Sequence, residues 1–276
     1  MRLLLLADIH ANLEALEAVL ADADKRGFTD TMFLGDAVGY GVDAKAVLTR
    51  LRALSPRAVQ GNHEKMLLAL TRGGIASKTP VGQALKVELE QLSAEDLAWI
   101  GAWKQGVKTM HGSLECFFVH GSPRNPDEYV DSLAAARGVF TDWVGRIAFV
   151  GHTHVAGVYT ALGYPPPPEP QRFGRIPGVP GATSSQVEKD SLNLRFTPFL
   201  EPINRLPMPP KGRWIVNPGS VGQPRDGIPK ASYGIFDFTK NSLEVYRVDY
   251  DVYATQQKIR AAGLPEALAS RLSVGK

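Results

Sequence analysis

The stretch RLLLLADIH, residues 2–10, joins a short apolar run to an aspartate and a histidine. A short apolar run that ends at an aspartate is typical of a strand buried on both of its faces. The next residues predict a helix, because Asn12 is a suitable N-cap and apolar residues recur at helical spacing over 13–20. The chain therefore begins with a strand–helix unit, and the strand ends in side chains that are able to bind a metal ion.

The same pattern continues along the first sixty residues. Residues 29–36 and 57–62 predict two further strands, and a second helix begins after Asp43 and ends at Ser55-Pro56. Strands that alternate with helices in this way predict right-handed βαβ units and a parallel sheet. The chain is then helical over about 64–104, with Ser93 as the N-cap of its last helix.

The second half of the sequence is richer in strands. A hairpin is predicted over about 107–123, and further strands are predicted at 146–154, 213–220, 231–238 and 242–250. The stretch between them, 161–212, is so rich in proline and glycine that neither a helix nor a central strand fits. We interpret it as an insertion with one short strand pair, within a single domain that spans 1–276 and carries a C-terminal helix at about 251–272.

Composition excludes several classes of protein. A net charge of +3 without a concentrated basic stripe gives no strong signal for nucleic-acid binding. The one cysteine, Cys116, excludes an internal disulfide framework, fits a reducing compartment and is expected to be buried in a strand. The apolar run at the N-terminus is too short for a signal peptide, and no segment approaches the ~20 apolar residues of a membrane span. We therefore expect a cytoplasmic protein with no membrane partner.

Polar residues gather where the predicted strands end. These residues are Asp8, His10, Asp36, Asn62, His63, Glu64, His120, His152 and His154. Taken singly, each has an ordinary explanation as a helix cap, a turn residue or a buried histidine. Ligands of open α/β sheets bind at the carboxyl ends of the strands. Nearly every one of these strand ends also has a glycine, which allows the backbone to approach a ligand closely. Taken together, the residues predict a metal site.

His152 and His154 form the densest part of this pattern, in the sequence VGHTHVAG. We expect extended backbone here, on which residues i and i+2 point to the same side.

The motifs DIH, GD, GNHE, HG and GHTH, in this order, resemble those of the calcineurin-like metallophosphoesterases. The similarity is closest to the compact prokaryotic branch that contains YfcE-like phosphodiesterases and small diadenosine-tetraphosphate hydrolases. It covers about 1–160 and 212–250. The resemblance implies an α/β fold, a four-layer α/β/β/α sandwich of two mixed β-sheets flanked by helices.

The resemblance also implies two divalent metal ions, with Mn²⁺ expected first and Fe, Zn²⁺, Ni²⁺ or Co²⁺ also compatible with these ligands. One ion would be held by Asp8, His10, Asp36 and His154, and the other by Asp36, Asn62, His120 and His152. In the family pattern, His63 contacts the scissile phosphate and protonates the leaving oxygen, and Glu64 orients His63.

The implied activity is hydrolysis of phosphodiester or phosphoanhydride bonds in small nucleotides, by in-line attack of a metal-bridging hydroxide. The expected substrate contacts are Asn12, Tyr40, Asn217, Ser220 and Arg225. Packing against the following helix is an equal alternative for Tyr40, and a plain surface position is one for Arg225. The stretch GDAVGYG lacks the arginine of protein phosphatases, which weighs against the alternatives of a protein serine/threonine phosphatase or a broad phosphomonoesterase. A non-catalytic scaffold of the same fold is a third reading, and a homo-oligomer is compatible with the sequence.

Overall fold

The computed structural model describes residues 1–74, 78–162, 192–208 and 212–276, and it contains two mixed six-stranded sheets. The first sheet has the order β3 (Arg57–Ala58), β2 (Asp30–Phe33), β1 (Arg2–Leu6), β11 (Ala231–Asp237), β12 (Ser242–Val248) and β9 (Ile203–Pro207). The second has the order β4 (Gly106–His111), β5 (Leu114–Val119), β6 (Ile147–Phe149), β10 (Arg213–Asn217), β7 (Gly157–Leu162) and β8 (Asn193–Pro198).

Helices flank the two sheets. They are α1 (Leu13–Arg26), α2 (Ala44–Ala53), α3 (Asn62–Thr71), α4 (Pro80–Leu89), α5 (Ala94–Gly101), α6 (Leu133–Asp142), α7 (Val252–Ala261) and α8 (Glu266–Ser270), and a 3₁₀ turn at Arg271–Ser273 follows α8. Two mixed sheets with helices outside them confirm the predicted fold class. Among the helices of the described ranges, none has the length and apolar character needed to cross a bilayer.

The first strand, β1, lies in the middle of the first sheet. It pairs in parallel with β2 and antiparallel with β11. Leu4 and Leu6 pack against the helices of the first sheet, whereas Leu3 and Leu5 pack into the apolar layer between the sheets, and all four side chains are fully buried. Burial on both faces explains why this strand has no polar alternation, and each leucine contributes about 1.5–3 kcal/mol of transfer free energy.

Parallel pairing brings the predicted strand exits together. In the first sheet β1, β2 and β3 run parallel, and in the second sheet β5, β6 and β10 do. The loops beyond these strands are joined by backbone hydrogen bonds, such as those from Asp8 N to Gly35 O at 3.0 Å and from Gly151 N to His120 O at 2.8 Å. The two sets also meet each other, because His152 N, beyond the second sheet, donates to Asp8 Oδ1, beyond the first, at 3.1 Å.

The proline-rich stretch differs from the prediction of one strand pair. Its two described strands, β8 and β9, do not pair with each other, because β8 adds to β7 and β9 adds to β12. Each lies at the edge of a different sheet, and Pro198 and Pro207 close them. Proline is tolerated at such edges because one side of the strand needs no ladder partner. Two parts of the predicted insertion, 163–191 and 209–211, lie outside the described residues.

The C-terminal helix predicted at 251–272 is also corrected. It is interrupted between α7 and α8, where Gly263 has a φ of 68° and Pro265 is the N-cap of α8. A left-handed glycine followed by a proline ends a helix and restarts the chain in a new direction. The restart returns Leu268 and Leu272 to pack against Ile259 of α7.

Cys116 lies in β5, fully buried and free, as its sequence neighbours predict. Burial raises the pKa of its thiol to about 12, so the thiolate is disfavoured.

Replacing Leu4 by alanine should lower stability, because it leaves a cavity in the most central strand. We expect a loss of roughly 2–5 kcal/mol, measured as the shift of the urea unfolding midpoint followed by circular dichroism. Leu200→Ala is the matched control, since that leucine is 55 % exposed, and its effect should stay within about 0.5 kcal/mol. Equal midpoints for the two variants would contradict the central role of β1.

Candidate metal centre

The backbone at the strand exits adopts an unusual conformation. Five of the predicted ligands have left-handed φ values, namely Asp8 (54°), His10 (50°), Asp36 (62°), His152 (68°) and His154 (60°). Such a conformation costs a residue other than glycine on the order of 1–3 kcal/mol and is concentrated at functional sites. The expectation of extended backbone at 152–154 is therefore wrong. Thr153 N donates to Gly151 O at 2.8 Å, and this tight turn, not a strand, sets the direction of the two histidines.

The first group of donors consists of Asp8, His10, Asp36 and His154, all buried, with one ligand atom from each lying within 4.8 Å of the others. His10 Nε2 is 3.1 Å from His154 Nε2 and 3.8 Å from Asp36 Oδ2. His154 Nε2 is 3.6 Å from Asp8 Oδ1. Four residues from three separate loops thus direct their donor atoms at a common space.

The two imidazoles of this group are oriented by backbone carbonyls. His10 Nδ1 lies 2.9 Å from Val38 O, and His154 Nδ1 lies 2.6 Å from Gln223 O. A carbonyl oxygen only accepts, so each Nδ1 carries the hydrogen. Burial, with the neighbouring histidine charge adding to it, lowers the pKa of both rings well below the usual value and keeps them neutral. Two Nε2 lone pairs therefore face each other, and a cation between them would satisfy both.

The second group consists of Asp36, His120 and His152. His120 Nε2 lies 3.2 Å from Asp36 Oδ2, 3.1 Å from His152 Nδ1 and 3.1 Å from Asn62 Oδ1. The Nδ1 atom of His120 is held by Leu34 O at 2.8 Å. Asn62 thus joins this group as the sequence predicts, and Asp36 belongs to both groups.

The charges of the site call for a positive ion. Burial and the nearby Asp36 raise the pKa of Asp8 to about 7, so the structure disfavours two ionised carboxylates here. Burial also acts to raise the pKa of Asp36, but His120 and His63 outweigh it and hold this pKa well below the usual range. Burial acts to lower the pKa of His120, but Asp36 outweighs it and raises this pKa to about 10, so positive charge is favoured beside the shared carboxylate. A divalent cation held by the same donors would supply that charge. The donors present therefore fit a divalent metal site.

The sequence interpretation expects Glu64 to orient His63, but Glu64 does not hydrogen-bond to the side chain of His63. Its carboxylate accepts hydrogen bonds from the backbone amides of Asp36 at 2.9 Å, Ala37 at 2.7 Å and Gly61 at 2.8 Å. The reason is its place in the first turn of α3, from which a glutamate reaches back to the residue before the helix. Glu64 therefore orients the loop that carries Asp36.

His63 and Tyr40 lie beside the first donor group. The ring centroids of both residues are 4.7 Å from that of His10 and 4.7 Å from each other. Burial lowers the pKa of His63, and its Nδ1 atom is buried with no hydrogen-bond partner. Tyr40 is half-buried and reaches the rim of the site. His63 thus keeps an unused polar atom next to the ligands.

Three of the expected substrate contacts have their polar groups engaged within the protein. Asn12 Nδ2 donates to Gly222 O at 2.8 Å, and Asn217 Nδ2 donates to Gly151 O at 2.7 Å. Ser220 Oγ donates to Asp8 O at 2.7 Å. These bonds fix the loops that carry the ligands.

Arg225 differs from those three residues. Its guanidinium lies over the ring of Tyr40, with Cζ 5.4 Å from the centroid. Its backbone amide donates to His154 O at 3.1 Å, which ties it to the site, and its Nε is buried without a hydrogen-bond partner. The half-buried side chain therefore has unused donor capacity toward an anion.

Two residues at the site were missed at the sequence level. Tyr129 stacks on His152 with the ring centroids 3.7 Å apart and remains 48 % exposed. Glu88 is a fully buried carboxylate of α4 that accepts from Gly39 N at 2.8 Å. Two features of the sequence could have indicated these residues. Tyr129 lies in the loop after His120, and Glu88 lies on the buried side of a helix.

Comparison with known proteins identifies the family of the chain. The model of the calcineurin-like phosphoesterase superfamily domain matches residues 1–170. The crystal structure of a metallophosphoesterase from Sphaerobacter thermophilus is similar over the full length of both chains, with a TM-score of 0.77 and 34 % identity. An uncharacterized protein of Methanocaldococcus jannaschii is 30 % identical over 98 % of this chain and 97 % of its own.

A shorter match concerns an enzyme with a stated activity. The symmetrical bis(5'-nucleosyl)-tetraphosphatase of Yersinia enterocolitica is 34 % identical over 120 residues, which is 42 % of this chain and 40 % of that enzyme. The family model spans more than half of the chain and includes every predicted metal ligand. The chain therefore belongs to the calcineurin-like phosphoesterase superfamily.

Proposed function

We propose that the protein is a dinuclear metal-dependent phosphoesterase that hydrolyses phosphodiester or phosphoanhydride bonds of small nucleotides. The observation that carries this proposal is the pair of buried donor groups that share Asp36. A shared carboxylate between two sets of donors is the arrangement that two-metal phosphoryl transfer requires.

Each group would hold one ion. The first would use Asp8, His10, Asp36 and His154, and the second would use Asp36, Asn62, His120 and His152. Imidazole, carboxylate and amide donors without a thiolate are compatible with Mn²⁺, Fe or Zn²⁺, and we propose Mn²⁺ as the first ion to test. When bound, the ions supply Lewis acidity and a nucleophile for in-line displacement at phosphorus.

His63 is the candidate acid of this reaction. It lies next to His10, and its Nδ1 atom has no partner within the protein. A bound phosphate would raise the pKa of its imidazole from the low level that burial sets, because a nearby negative charge favours the protonated ring. A protonated His63 can donate to the phosphoryl group and transfer its proton to the leaving oxygen.

Small nucleotides are favoured as substrates by the surroundings of the metal donors. The carboxylates and imidazoles that would bind the ions are at most 4 % exposed, which favours a narrow phosphate group over a broad protein surface. The rings of Tyr40 and Tyr129 adjoin His10 and His152, one at each donor group, and offer faces for a nucleobase. The tetraphosphatase activity of the Yersinia relative supports the same substrate class.

Replacing Asp36 by asparagine should abolish metal binding at both positions, because the shared carboxylate is lost while the side-chain volume is kept. We expect about two Mn²⁺ per chain for the parent and less than about a tenth of that for Asp36→Asn, measured by equilibrium dialysis and elemental analysis. Asp249→Asn is the matched control, since that aspartate is exposed and pairs with Lys230. A parent protein that binds no ion, or only one, would contradict the dinuclear proposal.

The variant His63→Gln should lose activity and keep its metal. With Mn²⁺ and 2′,3′-cyclic AMP, whose ribose leaving oxygen needs a proton, we expect kcat to fall about 10²–10⁴-fold, the usual contribution of a general acid. His111→Gln is the control, because His111 lies at the end of β4 against Phe238. If His63→Gln retained parental kcat at full metal content, His63 would have no catalytic role.

A substrate screen separates the activity classes. With Mn²⁺ present, we expect turnover of bis-p-nitrophenyl phosphate, 2′,3′-cyclic AMP or diadenosine tetraphosphate to exceed that of p-nitrophenyl phosphate and of a phosphopeptide. Preference for the phosphopeptide would instead indicate a protein phosphatase. Absence of turnover on all five substrates would favour a scaffold.

A further inference from the structure

A groove opens beside the metal centre, between α4 and the C-terminal part of the chain. It has a volume of about 680 Å³. Its lining includes Tyr40, Pro80, Val81, Leu268, Arg271 and Val274. Tyr40 therefore belongs to both the metal centre and the groove. Its ring contacts His10 and His63 of the site and also forms part of the groove wall.

Two guanidinium groups flank the ring of Tyr40. The Cζ atom of Arg225 is 5.4 Å from the ring centroid, and that of Arg271 is 5.9 Å from it. The two arginines come from different segments, the loop after β10 and the 3₁₀ turn after α8. Burial and the charge of Arg225 lower the pKa of Arg271, which reflects the repulsion between two nearby cations.

Neither arginine pairs with an acidic side chain of the described residues. Within the described ranges, no aspartate or glutamate side chain forms an ion pair with Arg225 or Arg271. Arg225 donates to the side-chain oxygen of Gln223, and Arg271 donates from Nε to a main-chain oxygen of Lys276, the last residue of the chain in the structure. By contrast, the buried Arg247 pairs with Asp226. Two half-buried guanidinium groups lie side by side, and no described acidic side chain is paired with either, so both keep N–H donors that a phosphate could use.

The groove wall is held in place by the rest of the molecule. Leu268 and Leu272 pack with Ile259 in one apolar cluster. Gly227 N donates to Gly275 O at 2.9 Å, which joins the C-terminal part to the loop that carries Arg225. The two arginines are thus set in position by packing and by a backbone hydrogen bond before any ligand binds.

We propose that Arg271 and Tyr40 form a second anion subsite, which binds a phosphate adjacent to the scissile one while the groove receives the attached nucleoside. The proposal rests on the proposed function, because it places the scissile phosphate at the metal centre. It narrows the substrate class to nucleoside polyphosphates. A polyphosphate bound across Tyr40 would relieve the repulsion between Arg225 and Arg271, and Val81, Leu268 and Val274 would cover apolar parts of the nucleoside.

The experiment compares two substrates in the variant Arg271→Gln. For diadenosine tetraphosphate, KM should rise about tenfold or more, because a charge-assisted contact is lost. For bis-p-nitrophenyl phosphate, which has one phosphate, kcat/KM should stay within about twofold of the parent. Arg271→Lys should give an intermediate KM for diadenosine tetraphosphate, since it keeps the charge and loses the planar group.

The matched control is Arg260→Gln, because Arg260 is an exposed arginine of α7 paired with Glu266. It should leave both substrates unchanged. An unchanged KM for diadenosine tetraphosphate in Arg271→Gln would overturn the subsite, and so would an equal loss for both substrates, which would indicate a general structural role.

Calorimetric titration with ATP separates this proposal from the proposed function. If the parent hydrolysed neither substrate but bound ATP about tenfold more tightly than Arg271→Gln, the subsite would stand and the proposed hydrolysis would fail. If diadenosine tetraphosphate were hydrolysed and ATP bound equally to both proteins, the hydrolysis would stand and the subsite would fail.

Discussion

The position of the Asp36 carboxylate is the constraint on which the centre depends. One of its oxygens accepts from His63 N at 2.9 Å, and the other faces His120 Nε2 at 3.2 Å. Its backbone amide donates to Glu64, and its carbonyl accepts from His10 N. Asp36 lies in a loop beyond the first sheet and His120 follows a strand of the second, so the residue that both donor groups share links the two sheets at this edge. A change in the packing between the sheets would alter both groups together.

The left-handed backbone conformation of five ligand residues is unfavourable in free energy, and the surrounding hydrogen bonds hold these residues in it. Asn217 and Ser220 donate to carbonyls of the ligand loops, while Glu64 and Glu88 accept from amides of the loop after β2. Support of these loops therefore explains many of the buried polar groups near the centre. Arg225 and His63 differ, because each keeps a buried polar atom without a hydrogen-bond partner.

The sequence predicted the parts of the fold that depend on local pattern. The all-leucine strand β1 and the N-caps Asn12 and Ser93 are found as predicted. The family motifs predicted both donor groups, whose metal occupancy stays a prediction. Features that depend on distant contacts were not predictable. Strands β8 and β9 join different sheets because of partners far along the chain, and Asp43 precedes α2 as expected but pairs with Lys258 in place of capping. The position of Arg271 over Tyr40 likewise follows from the break in the C-terminal helix, which only tertiary packing orients.

The pairing of β1 with β11 has a consequence for folding. Residues 2–5 align with 234–237, so the central strand of the first sheet gains its antiparallel neighbour only when a loop of more than two hundred residues closes. Contacts of such high sequence separation slow folding, because the entropy of loop closure is lost before the contact is gained. The early βαβ units can form locally, but the ligand loops bring together residues 8, 36, 120 and 154 and the supporting residues at 217–223. The metal centre therefore assembles late, and metal uptake would report on completion of the fold as a whole.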